Sequence, residues 1–315
     1  MTGSRVISLG HYQPSRVVTN DELAQIVDTS DEWIRERVGI QRRRIAADTE
    51  SVADMAGIAA EKALAGSGLA ATDIDMVIVA TCSAVDRCPN MASRVAAHLG
   101  IPAPAALDIN TACSGFSYGL ATADHAIRAG AARTALVVGA EKLSDLTDWT
   151  DRTTCILFGD GAGAAVVRAA AEGEEPGIGP VVWGSAPDKK DTLKIEGWRP
   201  YIWQEGQAVF RWATTAIPPV ALEACQRAGV DPSEIAAFVA HQANARIIDG
   251  IAKRLNLTNA IIAKDIVESG NTSAASIPLA LSKLVERREV PSGAPVLLMG
   301  FGGGLTYAGQ VIRCP

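Results

Sequence analysis

No apolar run in this sequence approaches the roughly 18–20 residues that a membrane span needs, and no basic stretch followed by an apolar one stands at its start. Neither a spanning helix nor a secretory leader is expected, and the cytoplasm is the expected location. Neither sign of charge dominates: 29 Lys and Arg face 35 Asp and Glu, a net of −6. Nothing in that balance attracts a polyanion, so nucleic acid and membrane surfaces are not expected as the main partners. The six cysteines (Cys82, Cys88, Cys113, Cys155, Cys225, Cys314) form no CxxC pair and have no zinc-finger spacing. A chain of this length needs no disulfide staples, so reduced thiols and no metal site are expected. No linker or low-complexity tract interrupts the chain, so independently moving domains are not expected either.

What the sequence does contain is repetition. Asn110-Thr111-Ala112-Cys113-Ser114-Gly115 is echoed by Asn271-Thr272-Ser273-Ala274-Ala275-Ser276, 161 positions later. Ala135-Leu136-Val137-Val138-Gly139 matches Val296-Leu297-Leu298-Met299-Gly300, and Ile74 to Val79 matches Ile235 to Ala240, at the same offset of 161. One offset held across three separated segments reads as an internal duplication. The expected division is a first half over 1–170 and a second over 171–315, fused into one compact unit.

Runs such as Met76 to Ala80 and Thr134 to Val138 are apolar without alternation, as expected of strands covered on both faces. Ala-rich stretches over 51–65 and 119–131 have helical spacing. Alternating strands and helices give an α/β fold, and doubling it interleaves helix layers with two sheets. The segment from Ala186 to Gln207 breaks the pattern, with Trp198, Tyr201 and Trp203 among charges and with Pro187 and Pro200. It reads either as a surface loop or as a cap over a ligand tunnel.

The two copies differ where chemistry would sit: Cys113 in the first faces Ala274 in the second, and His241 in the second faces Ala80 in the first. One site built from both halves follows. Cys113 comes after an apolar strand (Ala105 to Ile109) and opens a helical stretch, so the helix dipole is expected to favour its thiolate. His241 follows the run Phe238-Val239-Ala240 at a strand's carboxyl end, where open α/β sheets place their ligands. Asn271, the counterpart of Asn110, is expected to point at the same cavity, so that His241 and Asn271 offer two neutral donors to a developing enolate or oxyanion. The loop Gly300 to Thr306 lacks the Lys-Ser/Thr of a phosphate-binding loop, and its glycines are read as a close backbone approach to the sulfur. The cluster Phe158 to Gly163 is read as packing between the halves.

These blocks, together with Thr29 to Ile34, Arg37 to Ile40, Asp151-Arg152 and His241-Gln242-Ala243-Asn244, resemble the thiolase-like superfamily and, within it, the β-ketoacyl-acyl-carrier-protein synthase III family, over essentially the whole chain. The resemblance implies a five-layered αβαβα thiolase-like fold, a homodimer and a Cys-His-Asn site. Cys113 would take an acyl group from acyl-coenzyme A, and His241 and Asn271 would promote decarboxylation of malonyl-acyl carrier protein. The product would initiate fatty acid or polyketide synthesis. By the same resemblance the amides of Cys113 and Gly303 would form the oxyanion hole and Phe301 would pack near the thiol. Trp33 and Arg152 would sandwich the adenine, with Arg37 near the phosphates and Gly206 and Asn244 along the pantetheine arm. Acyl-coenzyme A is then a substrate, and no cofactor or metal is called for.

Arg246, Lys253 and Arg254 fall at i, i+7 and i+8 and so share one helix face, by spacing alone a solvated charged one; the resemblance implies that this face, with Arg211, docks the acidic carrier protein. One departure concerns the acyl pocket. Acetyl-selective family members tend to carry a bulky aromatic before the proline at 89, reaching across the dimer, and this chain has Cys88 there. A propionyl, branched or longer starter is therefore expected, although Asp86 and Arg87 nearby leave the pocket's polarity open. A thiolase-like acyltransferase that moves an acyl group onto an alcohol or amine without decarboxylation is the competing reading.

Overall fold

The protein is described by a computed structural model over residues 3–197 and 201–315; Trp198 and Pro200 lie outside the described residues. Two five-stranded sheets carry the fold. The first has the order β1-β7-β6-β4-β5, from Ser4–Tyr12, Asp160–Ala169, Thr134–Lys142, Met76–Ala80 and Ala105–Ile109. The second has the order β8-β14-β13-β11-β12, from Val182–Ser185, Thr306–Arg313, Pro295–Gly302, Ala237–Ala240 and Ile261–Ile262. In both sheets the last three strands of the order are parallel, the second runs antiparallel to them, and the first pairs antiparallel with the second and so runs in the direction of the last three. A small sheet joins β2 (Arg16–Thr19) to β3 (Arg42–Ile45).

The repeat seen in the sequence is a structural one. β4 and β11 begin at Met76 and Ala237, β6 and β13 at Thr134 and Pro295, and the helices α5 (Gly115–Arg128) and α9 (Ser276–Glu286) at Gly115 and Ser276, each pair 161 positions apart. α5 and α9 lie back to back between the sheets, and each packs on strands of both. They bury Phe116, Leu120, Ile277 and Leu281 against Val137, Val239 and Leu298. Each such fully buried side chain contributes about 1.5–3 kcal/mol from area removed from water. α3 (Val52–Ser67) and α4 (Met91–Leu99) cover the outer face of the first sheet; α6 (Gly206–Ala228) and α7 (Ala245–Arg254) cover that of the second. The result is the five-layered thiolase-like αβαβα arrangement. Strands sandwiched this way have no wet face, which is why β6 is buried at all nine positions and reads as a continuous apolar run.

Shorter helices complete the chain: α1 (Asn20–Leu23), α2 (Asp31–Val38) and α8 (Ile266–Ser269). α2 is set by Ser30, whose side chain accepts the Trp33 N–H, and ends at Gly39 with φ +82°. α5 starts a turn earlier than its Ala-rich stretch suggests, at Gly115. A Cβ there would lie 2.8 Å from that of Ala80, so glycine is required by the approach of β4. The described residues of the 186–207 segment form a 3-10 turn (Pro187–Thr192) and an antiparallel pair of strands, β9 (Leu193–Ile195) and β10 (Ile202–Gln204). No helix among the described residues is long and apolar enough to cross a membrane.

Candidate active site

A cavity of about 740 Å³ opens where the carboxyl ends of β4, β6, β11 and β13 meet between the halves, and Cys113, His241, Asn271 and Phe301 all line it. Cys113 sits in a 3-10 turn (Ala112–Ser114) between β5 and α5. Ala112 holds φ +45°, a left-handed conformation that costs an L-residue about 1–2 kcal/mol. The glycine loop after β13 presses against this turn: a Cβ on Gly302 would stand 2.5 Å from the Cys113 Cβ and 2.8 Å from its Sγ. Glycine there makes room for the thiol. Gly303 packs against Ala112, the residue before Cys113.

The expected thiolate is not what this environment favours. Burial pushes the Cys113 thiol up to about 11, outweighing the opposing hydrogen bonds from the Ser273 hydroxyl and the Gly303 and Cys113 amides, and the nearby Glu141 carboxyl adds to the rise. Cys113 stands in the 3-10 turn ahead of α5, and burial is the largest influence on its thiol.

His241 follows β11 and is 2% exposed. Its Nδ1 lies 2.8 Å from Ser276 Oγ, which also accepts the Gln242 N–H. With the Ser276 hydroxyl donating to Nδ1, Nε2 carries the ring's hydrogen; with Nδ1–H donating to Ser276, Nε2 is the acceptor. Burial holds the imidazole down at about 3, so the ring is neutral. Phe301 stands edge-on to it, with ring centroids 5.4 Å apart. Asn271 is fixed at both ends of its backbone, its N–H donating to Leu157 O at 2.8 Å and its O accepting from Gly159 N at 3.0 Å. Its Oδ1 accepts the Ser273 N–H at 2.8 Å, so the side-chain amide is left as a donor. Glycines of the 158–163 cluster pack where backbone approaches closely, Gly159 on Ser269 and Gly163 on Pro278 and Leu279 of the other half.

Three residues beside Cys113 were not singled out by the sequence reading. Glu141, near the end of β6, is fully buried and accepts hydrogen bonds from the N–H groups of Cys82 and Ser83, from the hydroxyls of Thr81, Ser83 and Ser273, and from the Cys82 thiol. Ser273 has φ +46°, and its hydroxyl donates to Glu141 at 3.0 Å and lies 3.8 Å from the Cys82 sulfur. Cys82 lines the cavity, and burial raises its thiol well above the ordinary value. Ser276, which orients His241, is the fourth omission. Its signal was available, since it is the counterpart of Gly115 and the only polar side chain of that pair.

Toward the opening, Trp33, Arg37, Arg152, Gly206, Arg211, Asn244 and Arg246 line the same cavity. The guanidinium centres of Arg37 and Arg152 lie 5.1 and 5.2 Å from the Trp33 ring centroid. Arg152 is tethered to the Asp28 carbonyl at 2.8 Å. A base between Trp33 and Arg152 needs about 3.5 Å on each side, so the pair as it stands is in direct contact and Arg152 must swing aside to sandwich one. Asn244 caps α7 and donates to the Arg37 carbonyl at 3.1 Å, tying α7 to α2. Leu193, Ile195 and Ile202 of the β9–β10 pair form one wall, while Tyr201 and Trp203 stay exposed. Lys253 and Arg254 are exposed on α7 outside the cavity, on the same face as Arg246. Cys88 is exposed and does not reach the cavity of its own chain. All six cysteines are free. Among the described residues no group of His, Cys, Asp and Glu is placed to hold a metal ion.

The chain matches the family models described as 3-oxoacyl-(acyl-carrier-protein) synthase III over residues 107–187 and the C-terminal part of the same over 225–314. It is 63% identical over 313 residues to beta-ketoacyl-(acyl-carrier-protein) synthase III 4 of Streptomyces coelicolor, covering 99% of each chain. It is 64% identical over 315 residues to synthase III 2 of Streptomyces avermitilis, covering all of both. Among solved structures it is similar to a priming β-ketosynthase of a polyketide biosynthetic pathway, with TM-score 0.97, 40% identity and coverage of 100% and 97% of the two chains. The 3-oxoacyl-(acyl-carrier-protein) synthase III of Aquifex aeolicus aligns with TM-score 0.94, 40% identity and coverage of 99% and 100%.

Proposed function

The chain belongs to the 3-oxoacyl-(acyl-carrier-protein) synthase III family, acyltransferases that open fatty acid or polyketide synthesis by condensing an acyl starter with malonyl-acyl carrier protein, and from that premise we propose that Cys113, His241 and Asn271 carry the chemistry. The observation that carries this reading is the convergence of a thiol from one half and two neutral donors from the other on a single cavity.

In the first half-reaction the Cys113 sulfur attacks the carbonyl of an acyl-coenzyme A, and coenzyme A leaves as its thiol. Trp33, Arg152 and Arg37 hold the nucleotide end, with Gly206 and Asn244 along the pantetheine arm. In the second, the malonyl thioester loses carbon dioxide and the electron pair passes into an enolate, whose oxygen accepts from His241 Nε2–H and the Asn271 amide. The enolate carbon then attacks the acyl-cysteine, the amides of Cys113 and Gly303 hold the tetrahedral oxyanion, and the Cys113 sulfur departs. Phe301 keeps the imidazole in place by its edge-on contact. Both substrates are thioesters, and the scheme draws on no further group.

The wider assignments rest on placement. Arg211, Arg246, Lys253 and Arg254 have no carboxylate within 4 Å among the described residues, which suits them to an acidic carrier in the cytoplasm. A homodimer is part of the reading: β5 is an edge strand with half-buried Ala106, Leu107 and Ile109, and Cys88 on the neighbouring loop is exposed for delivery to a second copy. The division into halves at 170/171 falls in the connection between β7 and β8. The deciding experiment is intact mass after exposure to acyl-coenzyme A. Wild type gains one acyl group, Cys113→Ala gains none, and Asn271→Ala still acylates but loses decarboxylation by about 10²–10³, the cost of one oxyanion donor. Acylation of Cys113→Ala would place the nucleophile elsewhere.

A further inference from the structure

The loop that brings Gly303 to the Cys113 turn has little of its own to fix it. Gly302 and Thr306 form the last rung of the β13–β14 ladder, so Gly303, Gly304 and Leu305 make a three-residue connection in which two members have no side chain. Gly304 is exposed and takes φ +118°, a conformation that glycine adopts freely. Glycine loses more freedom on folding than any other residue, so a backbone N–H in this loop keeps its direction only if something outside the loop holds it. Leu305 O accepts the Ala186 N–H at 2.8 Å, which ties the loop to the segment after β8 and not to the Cys113 turn.

Two hydroxyls bridge that gap. Ser114 Oγ and Thr306 Oγ1 lie 2.8 Å apart. Ser114 Oγ is also 2.8 Å from Thr111 O, and Thr306 Oγ1 is 3.1 Å from Thr111 O and 3.0 Å from Gly303 O. Each hydroxyl has one proton, so two protons serve these four contacts. With neither proton between them, the two oxygens would meet lone pair to lone pair at hydrogen-bond distance, so one donates to the other. If Ser114 donates, the Thr306 proton goes to a carbonyl, of which Gly303 O is the nearer. If Thr306 donates, the Ser114 proton goes to Thr111 O. In both cases a hydrogen bond crosses from the nucleophile turn to the residue that closes the glycine loop.

The bridge belongs to one half only. At the offset of 161, Ser114 corresponds to Ala275 and Thr306 to Asp145. Ala275 has no hydroxyl, and the Asp145 carboxylate lies 3.6 Å from the Lys142 ammonium. The copy without a nucleophile packs its turn against a strand end and does without the bridge, so packing alone does not require it. Neither Ser114 nor Thr306 is part of the cavity wall, so contact with substrate does not account for them either.

We propose that Ser114 and Thr306 clamp the glycine loop to the Cys113 turn and so hold the Cys113 and Gly303 N–H groups in register for the oxyanion. Both are positioning residues that act through those amides, and the inference rests on the reading that these amides receive the oxyanion. Acylation of Cys113 and the carbon–carbon step each pass through a tetrahedral oxyanion, whereas loss of carbon dioxide puts its charge on the enolate oxygen at His241 and Asn271. The clamp therefore serves the first two steps and not the third.

The test compares Thr306→Val, which keeps the shape and deletes the hydroxyl, with Thr306→Ser, Ser114→Ala and the double variant of Ser114→Ala with Thr306→Val. Single-turnover acylation by acyl-coenzyme A, followed by intact mass, is one readout and decarboxylation of a malonyl thioester is the other. Thr306→Val should slow acylation by about tenfold or more, short of the roughly 10²–10³ that loss of a whole oxyanion donor costs, with KM for acyl-coenzyme A and decarboxylation near wild type. Thr306→Ser should recover most of the rate, and the double variant should be less than multiplicative, because the two hydroxyls share one bond. An ester in place of the Gly302–Gly303 amide deletes the Gly303 N–H alone and should slow acylation by the full 10²–10³ or so. Acylation at the wild-type rate in Thr306→Val overturns the clamp, as does an equal loss in Thr306→Val and Thr306→Ser. Equal slowing of acylation and decarboxylation overturns it too, by making the two hydroxyls ordinary supports of the central helix. A wild-type rate with the ester overturns the oxyanion reading instead, which keeps the two failures apart. If Thr306→Val fails to fold, Ser114→Ala decides on the same two readouts.

Discussion

Ala112 and Ser273, 161 positions apart, adopt the same left-handed backbone, φ +45° and +46°, one residue before Cys113 in the first half and before Ala274 in the second. Strain that recurs where only one copy has the nucleophile is a property of the duplicated turn, not of the thiol. The turn starts a central helix in each half, and each is abutted by the strand end of the other half. Division of labour then follows from small substitutions on a common frame. His241 and Ser276 replace Ala80 and Gly115, a hydrogen-bonded pair in place of an alanine packed on a glycine that has no room for a side chain.

Gly302 is where that frame presses on the sulfur. A Cβ there would meet the Cys113 Cβ at 2.5 Å and Sγ at 2.8 Å, with backbone and a short side chain that cannot swing away. Gly302→Ala should cost about 1–3 kcal/mol by overpacking and displace the thiol. Thermal unfolding should show a folded but less stable protein, and intact mass should show acylation slowed far more than the stability loss accounts for. Acylation at the wild-type rate would mean that the turn yields without moving sulfur.

Ser276 is predicted to matter through a tautomer. Without its hydroxyl, His241 Nδ1 loses its partner, and the Nε2–H tautomer loses the donor that supports it. One hydrogen bond of about 1 kcal/mol corresponds to roughly fivefold, so Ser276→Ala should slow decarboxylation by at least that factor while leaving Cys113 acylation near wild type. Equal slowing of both half-reactions would show that the change had disturbed the central helix α9.

The ionisation pattern gives a third expectation. A thiol raised to about 11 stays protonated through neutral pH, so the ultraviolet thiolate signal lost in Cys113→Ser should appear only in strongly alkaline solution. A signal already complete by pH 8 would restore the dipole-stabilised thiolate. His241 has the opposite sign. Its folded value, about 3, lies below the unfolded value near 6.5, so between those limits the unfolded chain binds more protons and stability falls as pH drops. His241→Phe should flatten that part of the acid-unfolding curve.

Much of this was legible in the sequence because it is local or periodic. Doubly covered strands announce themselves as apolar runs, and the offset of 161 locates both turns, both central helices and the three converging residues. What escaped depends on contacts between halves. Glu141 looks like the polar end of a strand until β6 is seen to abut the Ser273 turn, and only mapping it onto Gly302 would have flagged it. The sequence shows Cys113 at a helix start, which favours the thiolate, but not its depth of burial, which raises the thiol. The 186–207 segment hid its strand pair, since β9 and β10 are three residues each and show too little alternation to detect.

The face of α7 is expected to govern the carrier and not the small substrate. Arg254→Glu with Lys253→Glu reverses two exposed charges outside the cavity. KM for malonyl-carrier should rise, chiefly through association rate, and salt should weaken wild-type binding in the same sense. Kinetics toward acyl-coenzyme A should not change, because neither residue lines its path. A KM indifferent to both charge reversal and salt would make this face ordinary solvated surface.

The starter group is set, in the last prediction, by a position that the single chain leaves outside. Cys88 is exposed and absent from the cavity lining, so any effect on chain length must come through delivery to a second copy. If it closes the partner's pocket, the small side chain leaves room that a large aromatic would fill. Each added methylene buried there gains about 0.8 kcal/mol, so two carbons favour a butyryl-sized over an acetyl-sized starter by about 1.6 kcal/mol, a little over tenfold. Competition between acetyl- and isobutyryl-coenzyme A should therefore favour the larger group in wild type, and Cys88→Phe should shift kcat/KM back toward acetyl. Under the proposed homodimer the same variant is a control on itself: diluting the protein until it dissociates should abolish the difference between wild type and Cys88→Phe. A strong acetyl preference in wild type, untouched by Cys88→Phe, would assign pocket depth to groups within one chain, where Cys82 already lines the cavity.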